Sequence, residues 1–423
     1  MSSTDEIHAL CERVLRQNWR EGFATTDGTP FAYTCPSPGH YPWQWYWDSC
    51  FTAIAWRRFD PERSRRELES LLAAQRPDGF IGHTLFWNTP LTGVRRFTYN
   101  VTERHAPTTA SIQPPLLAWA WRIAVGDPGE VPAIARQHDW LAANRDLDGD
   151  GLIWIVQPDE SGLDASSQFD AIWRHRAHSR PGYLLLVRRN RRLSYDARAI
   201  EAAGGPVCCE VMTNVLYSLA RSSLGRPSLT PRIVERMYDE PSGLFWPLAR
   251  PAPAREPALT WTALSPLALP DLPEDIGREL VERHLLDPRR FWLPVPPPSV
   301  SAADPAFSTR DLNAIGARLY WRGPTWVNAA WLVWLGLVRL GYEEQADTLA
   351  TRLTSTVRSQ GLREYYNPYT GSGMGAVDFG WSSLVLELTA PDPRAGSSYL
   401  TAPGGQYAGP VRPWTDRPNT STS

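Results

Sequence analysis

The chain has 423 residues, 42% of them apolar, enough for a large buried core and long for one ordinary domain. A net charge of -2 and a pI of about 6.5 give no basic surface for nucleic acid or an anionic membrane. Cys11, Cys35, Cys50, Cys208 and Cys209 are odd in number and lack metal-ligand spacing, so reduced thiols in a cytoplasm are expected and a metal centre is not.

The N-terminus, Met-Ser-Ser-Thr-Asp-Glu, is polar and acidic, unlike a signal peptide. The periodicity then predicts helices near 5–20, 47–58, 61–75, 108–125, 129–144, 168–189, 207–224, 272–286, 324–340, 343–359 and 381–389. Loops rich in Pro, Gly and Asp separate them at 76–107, 145–166, 241–258 and 292–322. The longest apolar run, Ala329 to Val338, is too short to span a bilayer. Its helix is apolar nearly all round, as an inner helix buried on both sides must be. An all-α fold with two concentric helix layers follows. Residues 1–390 read as one domain, and 391–423 as a Pro/Gly/Ser-rich tail. Oligomeric state stays open.

Twenty tryptophans and fifteen tyrosines are the unusual counts. An indole suits bulky core packing or stacking on a sugar, so the rings that cluster with carboxylates matter most. Tyr41-Pro-Trp-Gln-Trp-Tyr-Trp-Asp48 holds five aromatics and one acid in eight residues. Asp48 near a helix start is expected to stay ionised there, and either binds sugar hydroxyls or only caps the helix. Gln113-Pro-Pro115 precedes or opens a helix, with Gln113 as ligand or cap. Asp146-Leu-Asp-Gly-Asp-Gly151 resembles the start of a calcium loop, but Gln157 stands where the closing glutamate belongs.

Beyond it, Asp159-Glu-Ser-Gly-Leu-Asp164 places Asp164 in a small-residue turn. Tyr320-Trp-Arg-Gly-Pro-Thr-Trp326 puts Tyr320, Trp321 and Arg322 on a rim before Pro324. Gly361 to Gly371 then carries Glu364, Tyr365 and Tyr366 in a rigid turn. Arg363 or water is the plain partner for Glu364, and catalysis is the sharper role. All these stretches lie at loop-to-helix junctions. Junctions gathered at one end of a helix ring would set Asp164 and Glu364 across an aromatic cup. One acid would protonate a glycosidic oxygen while the other activates water, and no cofactor is needed.

The set Tyr-Pro-x-x-Trp-x-Trp-Asp, Gln-Pro-Pro, Glu-Ser-Gly-Leu-Asp, Tyr-Trp-Arg-Gly-Pro-x-Trp and Glu-Tyr-Tyr-x-Pro-x-Thr-Gly resembles glycoside hydrolase family 63. The likeness runs in order from 41 to 371 and is nearest to mannosylglycerate and glucosylglycerate hydrolases. It implies an (α/α)6 barrel and inverting hydrolysis of a small α-glycoside. By motif position it implies Asp164 as general acid and Glu364 as general base. It implies Tyr41, Trp45, Trp47 and Asp48 around the sugar, Gln113 and Tyr320 near the glycerate, and Trp326 as a wall. Gly162 and Trp321, inside the same motifs, are taken as further substrate contacts. Asp159 stands where the glucosylglycerate enzymes carry Trp, and Asp378-Phe379 where they carry a Gln pair. An α-glucosidase or trehalase-like hydrolase of short oligosaccharides is the alternative. Sugar isomerisation would need paired histidines, and of the eight only His40 joins an aromatic motif. A non-catalytic sugar-binding protein would need no paired acids.

Overall fold

The computed structural model describes residues 3–101, 108–173, 180–253, 257–312 and 319–389. Among these, twelve helices form the frame, numbered here in chain order. They are α1 (Ser3–Asn18), α2 (Tyr46–Trp56), α3 (Pro61–Ala73), α4 (Leu117–Ala124), α5 (Pro132–Arg145) and α6 (Val211–Ser223). Then come α7 (Thr230–Met237), α8 (Trp261–Ala268), α9 (Glu274–Glu279), α10 (Val327–Arg339), α11 (Glu343–Gln360) and α12 (Gly380–Val385). A π-helical stretch, Leu280–Leu285, extends α9, and the α-helical turn Leu386–Thr389 extends α12. Both α8 and α12 are wound as 3-10 helix.

The even-numbered helices pack in a closed ring: α2 on α4, α4 on α6, α6 on α8, α8 on α10, α10 on α12, and α12 back on α2. The odd-numbered helices lie outside them. Thus α3 covers α2 and α4, α7 covers α6, and α11 covers α10 and α12. Outer helix α5 bridges two inner ones, because Gln137 donates to the Tyr46 hydroxyl at 2.9 Å and His138 stacks on Tyr217 of α6. This alternation is an (α/α)6 barrel.

Sequence explains the layers. Every residue of α2 is buried, as is all of Val327–Leu337 in α10, so neither helix has a solvent face. In α3 the buried Ser64, Glu67, Leu68 and Leu71 follow one helical stripe, and Asp60 caps its start ahead of Pro61. At Gly336 a Cβ would come within 2.5 Å of Leu267, so this glycine lets α8 and α10 touch.

Several expected boundaries move. The helix expected over 108–125 is helical only from Leu117, because Pro114 and Pro115 deny the first half its amide donors and hold it extended. The span 207–224 opens as a strand, Val207–Cys209. The span 168–189 is a 3-10 turn at Ser167–Phe169, a short helix Asp170–Trp173, and a separate helix Arg180–Arg192. Strands among the described residues are few and short: ten, in five two-stranded pairs. The expected tail, 391–423, lies outside the described residues.

Candidate active site

The N-terminal ends of the inner helices carry the motif residues, and side chains join these ends. Gln113, ahead of α4, accepts from the Trp47 amide of α2 at 2.9 Å. Trp45 offers α2 no side-chain cap, so Gln113 caps it from outside. Gln168 accepts from Thr262 of α8 at 3.0 Å and donates to Glu210, the N-cap of α6, at 3.4 Å. Trp381 of α12 meets Trp47 edge-on at 4.9 Å and Trp326, the N-cap of α10, at 5.7 Å.

Glu364 lies on a strand, Arg363–Tyr366, hairpinned to Gly373–Val377. It is buried, 3% exposed. The Tyr41 hydroxyl donates to Oε1 at 3.1 Å and the Ala376 amide to Oε2 at 2.8 Å. Arg363 turns away and donates to the Gly375 carbonyl, so it is not the partner of Glu364. The pairing slips between Met374 and Val377, where Gly375 adopts φ +65°. A Cβ there would lie 2.6 Å from both Glu364 Oε2 and the Tyr365 ring. Tyr365 leans into the site, against Trp326 at 4.7 Å. Tyr366 does not: its hydroxyl bonds the Gly361 carbonyl and the Arg363 amide, anchoring the turn.

Asp164 follows the 3-10 turn Pro158–Ser161 and Gly162, which sits at φ +73°. Gly162 lies flat on Trp47, where a Cβ would be 2.5 Å from the indole. Tyr320 donates to Asp164 Oδ2 at 2.6 Å. Two residues on, Arg322 forms a two-pronged pair with Asp170 at 2.6 and 2.8 Å. Arg322 is 7% exposed, so the expected rim cation is a buried clamp that ties its loop to the Asp164 turn. Trp321 and Trp326 stack face to face, with centroids 3.7 Å apart, which closes one face of each to any ligand. A second buried pair braces the turn from behind. Glu160 accepts from Arg145 twice, at 2.7 Å, and from the Val156 and Ile112 amides.

Tyr41 touches Trp45 and Phe379 edge-on, at 5.8 and 6.0 Å, so the Tyr41–Asp48 stretch does meet the Glu364 loop. Asp48 departs from expectation. Burial, then the charge of Glu364, push its carboxyl well above the usual range, and Glu67 and Asp164 add to this. This direction opposes the ionised state expected from the helix start alone. The Asp146–Gly151 turn has its own partners. Asp146 accepts from the Gly149 and Gly151 amides, while Asp148 and Asp150 pair with Arg236 and Arg250.

The mannosylglycerate hydrolase MGH1-like glycoside hydrolase domain model matches residues 41–226 and 227–382. This chain belongs to glycoside hydrolase family 63. A mannosylglycerate hydrolase of Thermus thermophilus is 30% identical, over 84% of this chain and 95% of its own. Glucosylglycerate hydrolase of Mycolicibacterium hassiacum is 26% identical, over 84% and 93%. The crystal structure of a family 63 mannosylglycerate hydrolase from Thermus thermophilus, with Tris and D-glycerate, superposes with a TM-score of 0.73 at 27% identity. It covers 90% of this chain and all of that one. The family 63 chain is thus a glycoside hydrolase, an enzyme that breaks O-glycosyl bonds.

Some residues at this family 63 centre carry no motif signal. His83, Tyr183 and Glu67 sit in ordinary helix or loop sequence and reach the site only through the fold. Glu67 stands behind Asp48 and accepts from the Thr34 amide and hydroxyl and from Ser49.

Proposed function

We propose that the enzyme hydrolyses a small α-glycoside with inversion, its best substrates being 2-O-α-mannosylglycerate or glucosylglycerate, giving free sugar and glycerate. The observation that carries this reading is a pair of carboxyl groups, each held by a tyrosine: Glu364 by Tyr41 and Asp164 by Tyr320. Glu364 accepts on both oxygens, which suits an ionised general base. In this reading Asp164 gives its proton to the glycosidic oxygen. Glu364 takes one from a water that attacks the anomeric carbon from the opposite face. Tyr41, Trp45, Trp47 and Asp48 hold the sugar, and Gln113, Gly162, Tyr320, Trp321 and Trp326 shape the remaining wall. The names of the relatives and the glycerate in the Thermus structure support the aglycone.

The same reading takes residues 1–390 as one catalytic domain, since the ring runs from α2 to α12. It places the enzyme in a reducing cytoplasm, because all five cysteines are buried and unpaired. No helix among the described residues is long and apolar enough to cross a membrane.

Glu364→Gln and Asp164→Asn should each lower kcat by about 100-fold or more while sugar binding persists. NMR of the first product should show the β-anomer before mutarotation. Release of the α-anomer, or normal turnover by either variant, would overturn the assignment.

A further inference from the structure

The carboxyl of Asp159 takes no part in the steps above. It lies in the 3-10 turn just ahead of Asp164 and is 7% exposed. Its two oxygens differ. Oδ2 accepts from Gln157 at 2.7 Å and from the Tyr183 hydroxyl at 3.5 Å, and the His83 ring nitrogen Nδ1 lies 3.8 Å away. Gln157 is fixed in that orientation, since its own oxygen accepts from Asn190 at 3.0 Å. Among the described residues Oδ1 has no hydrogen-bond partner. Among the same residues neither ring nitrogen of His83 has one, nor does the indole N–H of Trp45, which meets the His83 ring edge-on at 5.0 Å.

Buried polar groups are seldom left unmatched, and a cluster of them beside a reaction centre points to a bound partner. Burial holds His83 neutral, with its pKa pushed down to about 3, so the ring offers one donor and one acceptor. Burial and the charge of Asp164 raise Asp159. A carboxylate brought here would face two acids, and an ammonium ion would leave the ring and indole donors unmatched. A hydroxyl both donates and accepts, so it fits. The side of the bond follows from the chain: Asp159 lies in the 3-10 turn Pro158–Ser161 that leads through Gly162 to Asp164, on the acid's side of the centre, where the leaving group sits.

We propose that Asp159 and His83 form a specificity-determining subsite that hydrogen-bonds a hydroxyl of the leaving group. This rests on the hydrolase reading above, with Asp164 as the acid.

The test compares 2-hydroxyethyl and ethyl α-glycosides of mannose and glucose, which differ by one hydroxyl, alongside the two glycerate glycosides. The wild type should favour the hydroxyethyl glycoside by roughly tenfold or more in kcat/KM. Asp159→Ala should bring that ratio close to one, and Asp159→Asn, which keeps an acceptor, should retain part of it. His83→Phe supplies the same ratio if Asp159→Ala does not fold. A wild type without preference, or a ratio unchanged in the variants, overturns the subsite. If the glycerate glycosides are not cleaved but the hydroxyl preference follows Asp159, the subsite stands and the glycerate reading falls. If no glycoside is cleaved, both fall.

Discussion

Gly375→Ala probes how the fold aims Glu364. The new methyl would stand 2.6 Å from Glu364 Oε2, 2.6 Å from the Tyr365 ring and 2.8 Å from Glu364 Cβ. At φ +65° the backbone also disfavours any side chain, by about 1–2 kcal/mol. Of the three clashing groups, the carboxylate end is the easiest to move. Tyr365 is packed against Trp326 and stacked on Tyr320, and Cβ is fixed to the strand. Accommodation therefore swings the carboxylate off the Tyr41 hydroxyl and the Ala376 amide. A misplacement of about 1 Å at a reacting group costs on the order of 100-fold in rate. Steady-state kinetics should thus show kcat reduced by about two orders of magnitude, while denaturant unfolding loses only about 1–2 kcal/mol. A variant with near wild-type kcat would refute the claim that this bulge sets the base. A variant losing stability and activity in proportion would show a general loss of packing instead.

Tyr320→Phe removes the hydroxyl that donates to Asp164 at 2.6 Å, and kcat/KM should fall by about 10- to 100-fold with an unchanged melting temperature. Glu160→Gln breaks a buried pair with Arg145 whose side chains are 0% and 1% exposed, and chemical denaturation should show a loss of about 3–5 kcal/mol. A loss no larger than that of a surface substitution would mean the Asp164 turn is braced elsewhere. Glu67 has its pKa raised by burial from 4.5 to about 7, so the folded state binds its proton more tightly than the unfolded chain. Its contribution to stability is therefore complete below pH 4.5 and is lost as the pH rises through about 7. Unfolding of wild type and Glu67→Gln at several pH values should show the difference between them shrinking by about 3 kcal/mol over that window. A constant difference would refute the raised pKa.

The inner layer was legible where one helix carries its own evidence. The apolar Val327–Arg339 run could be buried only on both sides, and α10 is. The 3-10 helices α8 and α12 were harder. Trp261–Ala268 is short, contains Pro266, and lacks a 3.6-residue stripe, so nothing local announced an inner wall; only 381–389, within α12 and its extension, was expected to be helical. Amphipathic α7 is just eight residues long and passed unnoticed. At the site, aromatic density beside an acid located the Tyr41–Asp48 stretch. The upward push on the Asp48 carboxyl was not readable there, because it comes from burial and then from Glu364, which is far away in sequence. Arg322 looked like a rim charge for the same reason: its partner, Asp170, is 152 residues away.

The bond between Tyr41 and Glu364 joins residues 323 positions apart. Tyr41 precedes the first inner helix, and Glu364 stands just before the last. Because α12 packs back on α2, this contact forms only when the ring shuts. A nascent or truncated chain with five inner helices in place would have Asp164 and most of the aromatic wall, yet no base. Catalysis therefore acts as an all-or-none report of barrel closure. Folding is also slowed by the long loop that must be closed before this contact returns any energy. Activity regained during refolding should lag behind helix content, and a break anywhere between α2 and α12 that stops the ring closing should silence the enzyme while leaving much of its helix intact.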